Sequence, residues 1–225
     1  MKLLKLACTL AVATLGFVGQ AHSAALVFDS VGDAGSILFE TTRQGATLSA
    51  KVDFSLSSIS SNTATFNVNV ANNSSGAGSN RLMSFGIDVV SPSLTGVTDN
   101  SGMWDTGLNT TLAGGFQNVD LCFWTANGCT GGNINQGLSE GGSSVFQLTL
   151  NTSGNFLTSG VTFTSPYGIK FQDVGTGGNS YEFAGCIFGT RGCGGSEVPE
   201  PASLALVGLA LAGVAVMRRR RPTAA

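Results

Sequence analysis

The sequence predicts an all-β protein, an antiparallel β-sandwich of jelly-roll or immunoglobulin-like kind, flanked by an N-terminal signal-peptide helix and one C-terminal transmembrane helix. Three observations predict it. The middle of the chain alternates apolar and polar residues with period two, the signature of strands with one dry face and one wet face. Small residues dominate: Gly accounts for 32 of 225 positions, and Ser, Thr and Asn for 25, 22 and 15, types that favour turns and strands over helix interiors. Apolar runs stand only at the two ends, and charged residues make up just 11%, less than half of the usual quarter.

The longest alternation runs through Ala46, Leu48, Ala50, Val52, Phe54 and Leu56, with Thr47, Ser49, Lys51, Asp53, Ser55 and Ser57 between them. Every apolar side chain then falls on one face. After a loop at Ser58 to Asn62, Ala64, Phe66, Val68 and Val70 alternate with Thr63, Thr65, Asn67 and Asn69, so the two runs predict an antiparallel hairpin. Asn72 to Asn80 is read as the next loop. Shorter strands are expected at Leu26 to Asp29, Ser36 to Thr41, Arg81 to Val90, Val145 to Leu150, Val161 to Thr164 and Gly168 to Val174, each bounded by Gly, Asn or Ser. Phe28, Phe39, Phe54, Phe66, Phe85, Phe146, Phe163 and Phe171 fall on these strands and are the expected core.

The N-terminus carries Lys2 and Lys5, an apolar run from Leu6 to Val18, and then Ala21-His22-Ser23, the three parts of a secretory signal peptide. Residues 1 to 23 are therefore expected to be removed by signal peptidase, with cleavage after Ala25 as a second choice and an uncleaved anchor as the alternative. Residues 24 to 190 form the sandwich domain in this reading, and the Gly-rich 191 to 197 a linker. At the other end Val198-Pro199-Glu200-Pro201 precedes sixteen apolar or small residues, Ala202 to Met217, and then Arg218, Arg219, Arg220 and Arg221. Sixteen helical residues span roughly 24 Å, somewhat less than the ~30 Å hydrocarbon core. Arginine is costly at the bilayer centre, so the cluster acts as a cytoplasmic stop and leaves the body outside. The two prolines bar helix at 198 to 201 and favour an extended strip.

Pro199-Glu200-Pro201, the short apolar helix and the terminal arginines together closely resemble the PEP-CTERM sorting signal, also labelled an ice-binding-protein C-terminal domain, a label that says nothing about ice. The resemblance implies recognition by an exosortase, a membrane-embedded cysteine transpeptidase, with removal of the tail and release to the surface of bacteria that make exopolysaccharide. Asn118-Val119-Asp120-Leu121-Cys122-Phe123-Trp124, Asn127-Gly128-Cys129-Thr130-Gly131-Gly132 and the run into Val145-Phe146-Gln147-Leu148 look like the cistern family of PEP-CTERM proteins. That likeness supports an exported fate and supplies no chemistry.

Cys122, Cys129, Cys186 and Cys193 remain after signal cleavage, and each pair encloses six residues. In an exported chain two disulfides are expected. Of three connectivities the local one, 122 with 129 and 186 with 193, is favoured by the repeated spacing and neighbouring glycines, while cross-pairing stays open. Local bridges would pin loops and leave the core alone. Zinc is disfavoured by the spacing and by the lack of histidine.

Removal of His22 leaves no histidine, so no triad hydrolase is expected. Between residues 24 and 197 there are five basic residues against twelve acidic, a net charge of −7, the wrong sign for gripping nucleic acid. Asp99, Asp105, Asp120, Glu140 and Glu182 are read as loop carboxylates, with a histidine-independent glycoside hydrolase as an alternative. Asp29 and Asp33 around Gly32 could hold calcium, but lack the regular ligand spacing of a dedicated loop. No cofactor and no metal are expected. Trp104, Trp124, Tyr167 and Tyr181 are the candidate sugar contacts, all placed in loops, with core packing as their competing role. The resulting expectation is an exported, non-enzymatic surface or matrix protein associated with exopolysaccharide or biofilm, with a carbohydrate-binding module as the alternative. Its partners would be signal peptidase, exosortase and the membrane, with exopolysaccharide as the further partner.

Overall fold

The computed structural model describes residues 25–190 together with Gly192 and Cys193. The signal peptide, the sorting strip Val198 to Pro201, the apolar segment 202 to 217 and the arginines 218 to 221 lie outside the described residues.

The predicted hairpin is present. β3 (Ala46–Ile59) and β4 (Thr63–Asn72) pair antiparallel with Val52 opposite Val70 and Leu56 opposite Phe66. Ala46, Leu48, Ala50, Val52, Phe54 and Leu56 are each at most 1% exposed, because the alternation places all six on the inner face. β2 (Ala34–Arg43) pairs with β3 on its other side. The remaining strands are β1 (Leu26–Phe28), β5 (Ser75–Gly76), β6 (Gly78–Val89), β7 (Leu94–Asp99), β8 (Asp105–Leu112), β9 (Gln117–Trp124), β10 (Ser143–Thr152), β11 (Val161–Val174), β12 (Asn179–Ala184) and β13 (Cys186–Ile187).

Two antiparallel sheets result. One runs β1-β11-β6-β9-β8, with β12 also on β11; the other runs β13-β2-β3-β4-β10-β7, with β5 on β3. Hairpins join β2 to β3, β3 to β4, β8 to β9 and β11 to β12, whereas the connections around β6, β7 and β10 cross between layers. The sheets face each other across a phenylalanine core. Phe28 meets Phe66 edge-on at 5.1 Å, Phe54 meets Phe163 at 5.1 Å, and Phe123 meets Phe146 at 6.1 Å between centroids, each contact joining one sheet to the other. All eight expected core phenylalanines are buried, and each contributes about 1.5–3 kcal/mol relative to exposure.

The strand readings need three corrections. The candidates 161 to 164 and 168 to 174 are one strand, β11, which continues past Pro166 with a register shift between Thr164 and Gly168. The loop assigned to Asn72 to Asn80 contains β5 and the start of β6. The strands β7, β8, β9, β12 and β13 were not anticipated: β7 and β8 have few apolar residues, interrupted by Gly, Asn or Thr, β12 and β13 are short, and β9 ends in a continuous apolar run without alternation.

The outer faces of the two sheets differ. Across the first sheet, Gly168 of β11 lies opposite Gly86 of β6, Gly86 opposite Cys122 of β9, and Cys122 opposite Gly107 of β8. A Cβ at Gly168 would come within 2.4 Å of Leu112 and 2.9 Å of Phe116, and one at Gly86 within 2.6 Å of Val119. This row of missing side chains seats a second, smaller core of Leu112, Val119, Cys122 and Cys129, with Phe116 and Trp124 packed against it. The second sheet presents a Ser, Thr and Asn ladder instead, in which Thr65 and Thr149 hydrogen-bond across strands at 3.3 Å.

Candidate functional site

Both disulfides close locally, Cys122 to Cys129 and Cys186 to Cys193. The first is not confined to a loop, as the sequence reading had it. Cys122 is 0% and Cys129 2% exposed, so this bridge is part of the second core. The Ser84 hydroxyl donates to the Cys129 carbonyl at 2.8 Å, tying the loop to β6. Gly131, at φ +110°, lets the same loop pass over Lys170, whose Cε would stand 2.7 Å from a Cβ there. Beneath it Lys170 and Glu182, opposite each other on β11 and β12, form an ion pair at 2.5 Å with side chains only 8% and 18% exposed.

The second bridge sits at a sheet edge. Cys186 and Ile187 pair with Leu38 and Ile37 of β2, and the Phe188 amide donates to the Ser36 carbonyl at 2.9 Å. Cys193 is 2% exposed, so the folded body reaches past residue 190, where the linker was expected to begin. The Phe188 ring lies 4.8 Å from Lys51 Nζ, and Lys51 pairs with Asp53 at 2.7 Å, both about one-third exposed. Burial pushes the Asp53 carboxyl up, but hydrogen bonds from Lys51, Ser36 and Asn69 and the lysine's charge outweigh it and hold the group below its ordinary value. Asp53, Asn67, Asn69 and Val145 border a shallow hollow of about 280 Å³ on this outer face.

The four aromatic candidates do not form one surface, and they are not all in loops. Trp104 is 1% exposed, packs against Phe85 at 5.4 Å and leaves its Nε1 without a partner. Tyr167 lies within β11, 3% exposed, and its hydroxyl donates to the Phe163 carbonyl at 3.0 Å. Burial pushes its phenol up to about 12. A buried ring cannot stack on a sugar, so neither Trp104 nor Tyr167 offers a contact face. Tyr181 is half-buried on β12 against the main core, while Trp124 ends β9 and lies over Gly107 in the second core. Packing takes up Trp104 and Tyr167 entirely and Trp124 and Tyr181 in part.

Most of the candidate carboxylates are likewise spent locally. Asp33 accepts the amides of Asp29 and Ser30, both at 2.8 Å; these bonds lower its carboxyl and close a turn. Asp99 accepts Thr106 at 2.8 Å, and Glu140 accepts the Asn80 amide at 2.8 Å. Asp105 opens β8 and is exposed. Asp120 and Glu182 stand on strands and not in turns. Asp120 Oδ2 accepts the Val89 amide at 2.9 Å, and Asp88 Oδ1 accepts the Asp120 amide at 3.3 Å. Burial, followed by the neighbouring Asp120 charge, raises the Asp88 carboxyl despite that bond. This carboxylate neighbourhood was missed because it depends on the β6–β9 register. Among the described residues no three His, Cys, Asp or Glu side chains gather where they could hold a metal ion.

The fold and its bridges define a disulfide-stapled all-β protein of two antiparallel sheets, the class that an oxidising, exported setting suits. Residues 197–221 match the family described as the PEP-CTERM protein-sorting motif. That match supports an exported protein sorted by an exosortase and processed at the membrane on its way to the cell surface. No curated protein and no solved structure matches the chain.

Proposed function

We propose that this chain is a non-enzymatic surface or matrix protein, delivered by exosortase sorting and associated with exopolysaccharide or biofilm. In this reading the segment 202 to 217 spans the inner membrane with Arg218 to Arg221 in the cytoplasm, and the body stands outside until the tail is removed. The observation that carries the reading is the sorting motif at residues 197–221, joined to a body closed by two disulfides. The matrix role draws support from the second sheet's outer ladder of hydroxyl and amide side chains, which keeps a broad face hydrated with few charges. Trp104 and Tyr167 are engaged in packing, and Asp99, Asp120, Glu140 and Glu182 in hydrogen bonds or an ion pair, which favours the non-enzymatic role over a hydrolase.

The test is the mass of the exported protein from a host that makes an exosortase and from one that lacks it. The expected product lacks Met1 to Ser23 from both hosts, and lacks most of Ala202 to Ala225 only when the enzyme is present. A secreted form that retains the arginine tail overturns the sorting reading. Co-purification with the polysaccharide fraction, lost when that polymer is not made, tests the matrix role separately.

A further inference from the structure

The folded body ends in a clamp. Cys193 is bonded to Cys186, the Gly189 amide donates to the Cys193 carbonyl at 2.9 Å, and the Cys193 amide to the Thr190 carbonyl at 2.9 Å. The same segment is fixed to β2 through the β13 pairing and to Ser36 through Phe188. Only Gly194, Gly195, Ser196 and Glu197 separate this clamp from Val198. At a maximum of roughly 3.3–3.6 Å per residue, Val198 can stand no more than about 17–18 Å from Cys193. A body of this size has a radius of gyration of about 15 Å. Whatever grips residues 198 to 201 therefore works within about one domain radius of the sheet edge formed by β2 and β13.

Opening the bridge changes that length. The next point that holds the chain to the body is Phe188, whose amide bonds Ser36, so five more residues become available and the reach rises by roughly 17–18 Å. We propose that the Cys186–Cys193 disulfide sets the length of the stalk on which the body presents its sorting motif, and so the rate at which the tail can be engaged. The inference rests on the sorting reading above and deepens it. In it the two bridges have separate duties: Cys122–Cys129 is an internal packing element, and Cys186–Cys193 governs presentation.

The experiment follows tail removal from the full chain over time in an exosortase-bearing host. Deleting Gly194 and Gly195 shortens the stalk without touching the fold. It is expected to slow tail removal severalfold, and adding Cys186→Ser with Cys193→Ser to the deletion is expected to restore the wild-type rate. Inserting four Gly/Ser residues after Ser196 in the deleted chain, with the bridge intact, should restore it equally, which keeps the test independent of any damage from the cysteine changes. Trimming of the deleted chain at the wild-type rate overturns the proposal. So does slow trimming that neither longer stalk rescues, which would mean that the glycines themselves are read. If wild-type chain is never trimmed, the sorting reading falls and this inference with it; if it is trimmed and indifferent to stalk length, only the inference falls.

Discussion

Two disulfides of identical spacing occupy opposite settings in this molecule. Each links cysteines seven positions apart, and each is accompanied by a lysine–carboxylate pair, Lys170–Glu182 for the first and Lys51–Asp53 for the second. Chain entropy alone would value the two bridges equally, at about 2.5 kcal/mol for so short a ring. Their surroundings separate them. The first is sealed in a second core that a row of glycines admits to the sheet surface, and its ion pair is nearly dry. The second lies along an edge strand, and its ion pair is one-third exposed. Equal spacing in sequence thus conceals unequal burial, and burial decides what each element contributes.

The largest expected effect follows from the first bridge. Replacing Cys122 and Cys129 together by Ala should cost about 3–5 kcal/mol, because loss of buried packing adds to the loss of the ring. Chemical denaturation of the body checks this, and a cost no greater than the ring entropy would erase the distinction between the two bridges. Next comes Lys170→Met. It leaves Glu182 beneath the loop without its cation and should cost about 2–3 kcal/mol, below the full penalty for a buried pair because Glu182 retains some contact with water. Lys170→Met combined with Glu182→Leu should recover most of that loss. A third variant, Cys186→Ser with Cys193→Ser, should cost about 2 kcal/mol or somewhat less, since the edge can fray while both sheets remain. If thermal melts find it as damaging as the Cys122 and Cys129 change, the edge bridge belongs to the core after all.

What the sequence disclosed and what it hid divide along the same physical line. Strands facing one dry layer and one wet layer, such as β3 and β4, announce themselves by alternation, and local bridge closure was readable from spacing. β9 is covered on both sides over its second half, so its apolar residues no longer alternate cleanly; Val119, Leu121, Cys122 and Phe123 are all buried. Trp104 does lie between β7 and β8, but it is buried there, whereas Tyr167 lies within β11, where its neighbour Gly168 admits Leu112 and Phe116. The Gly168-Gly86-Cys122-Gly107 row is created by register between four strands that are distant in sequence, and no local pattern encodes it. The sorting motif is the opposite case: it is a linear signal, and linear reading was sufficient to find it.

The smallest predicted effect tests the exposed side of the comparison through pH. The folded Asp53 carboxyl lies below its ordinary value, so its ionised form is favoured in the native state. Its contribution is therefore present above the unfolded carboxyl value of 3.8 and is lost as pH falls through the lower folded value. Because Lys51 and Asp53 remain one-third exposed, screening by solvent limits their pair to less than about 1 kcal/mol. Lys51→Met should thus cost only a few tenths of a kcal/mol near neutral pH, and the difference between it and the wild type should shrink further in high salt or below the folded value. Comparing urea midpoints of Lys51→Met and Lys170→Met across pH and salt separates the two sides directly. A Lys51→Met loss as large as that at Lys170 would show that Phe188 shields its ion pair as fully as the first disulfide loop shields the other.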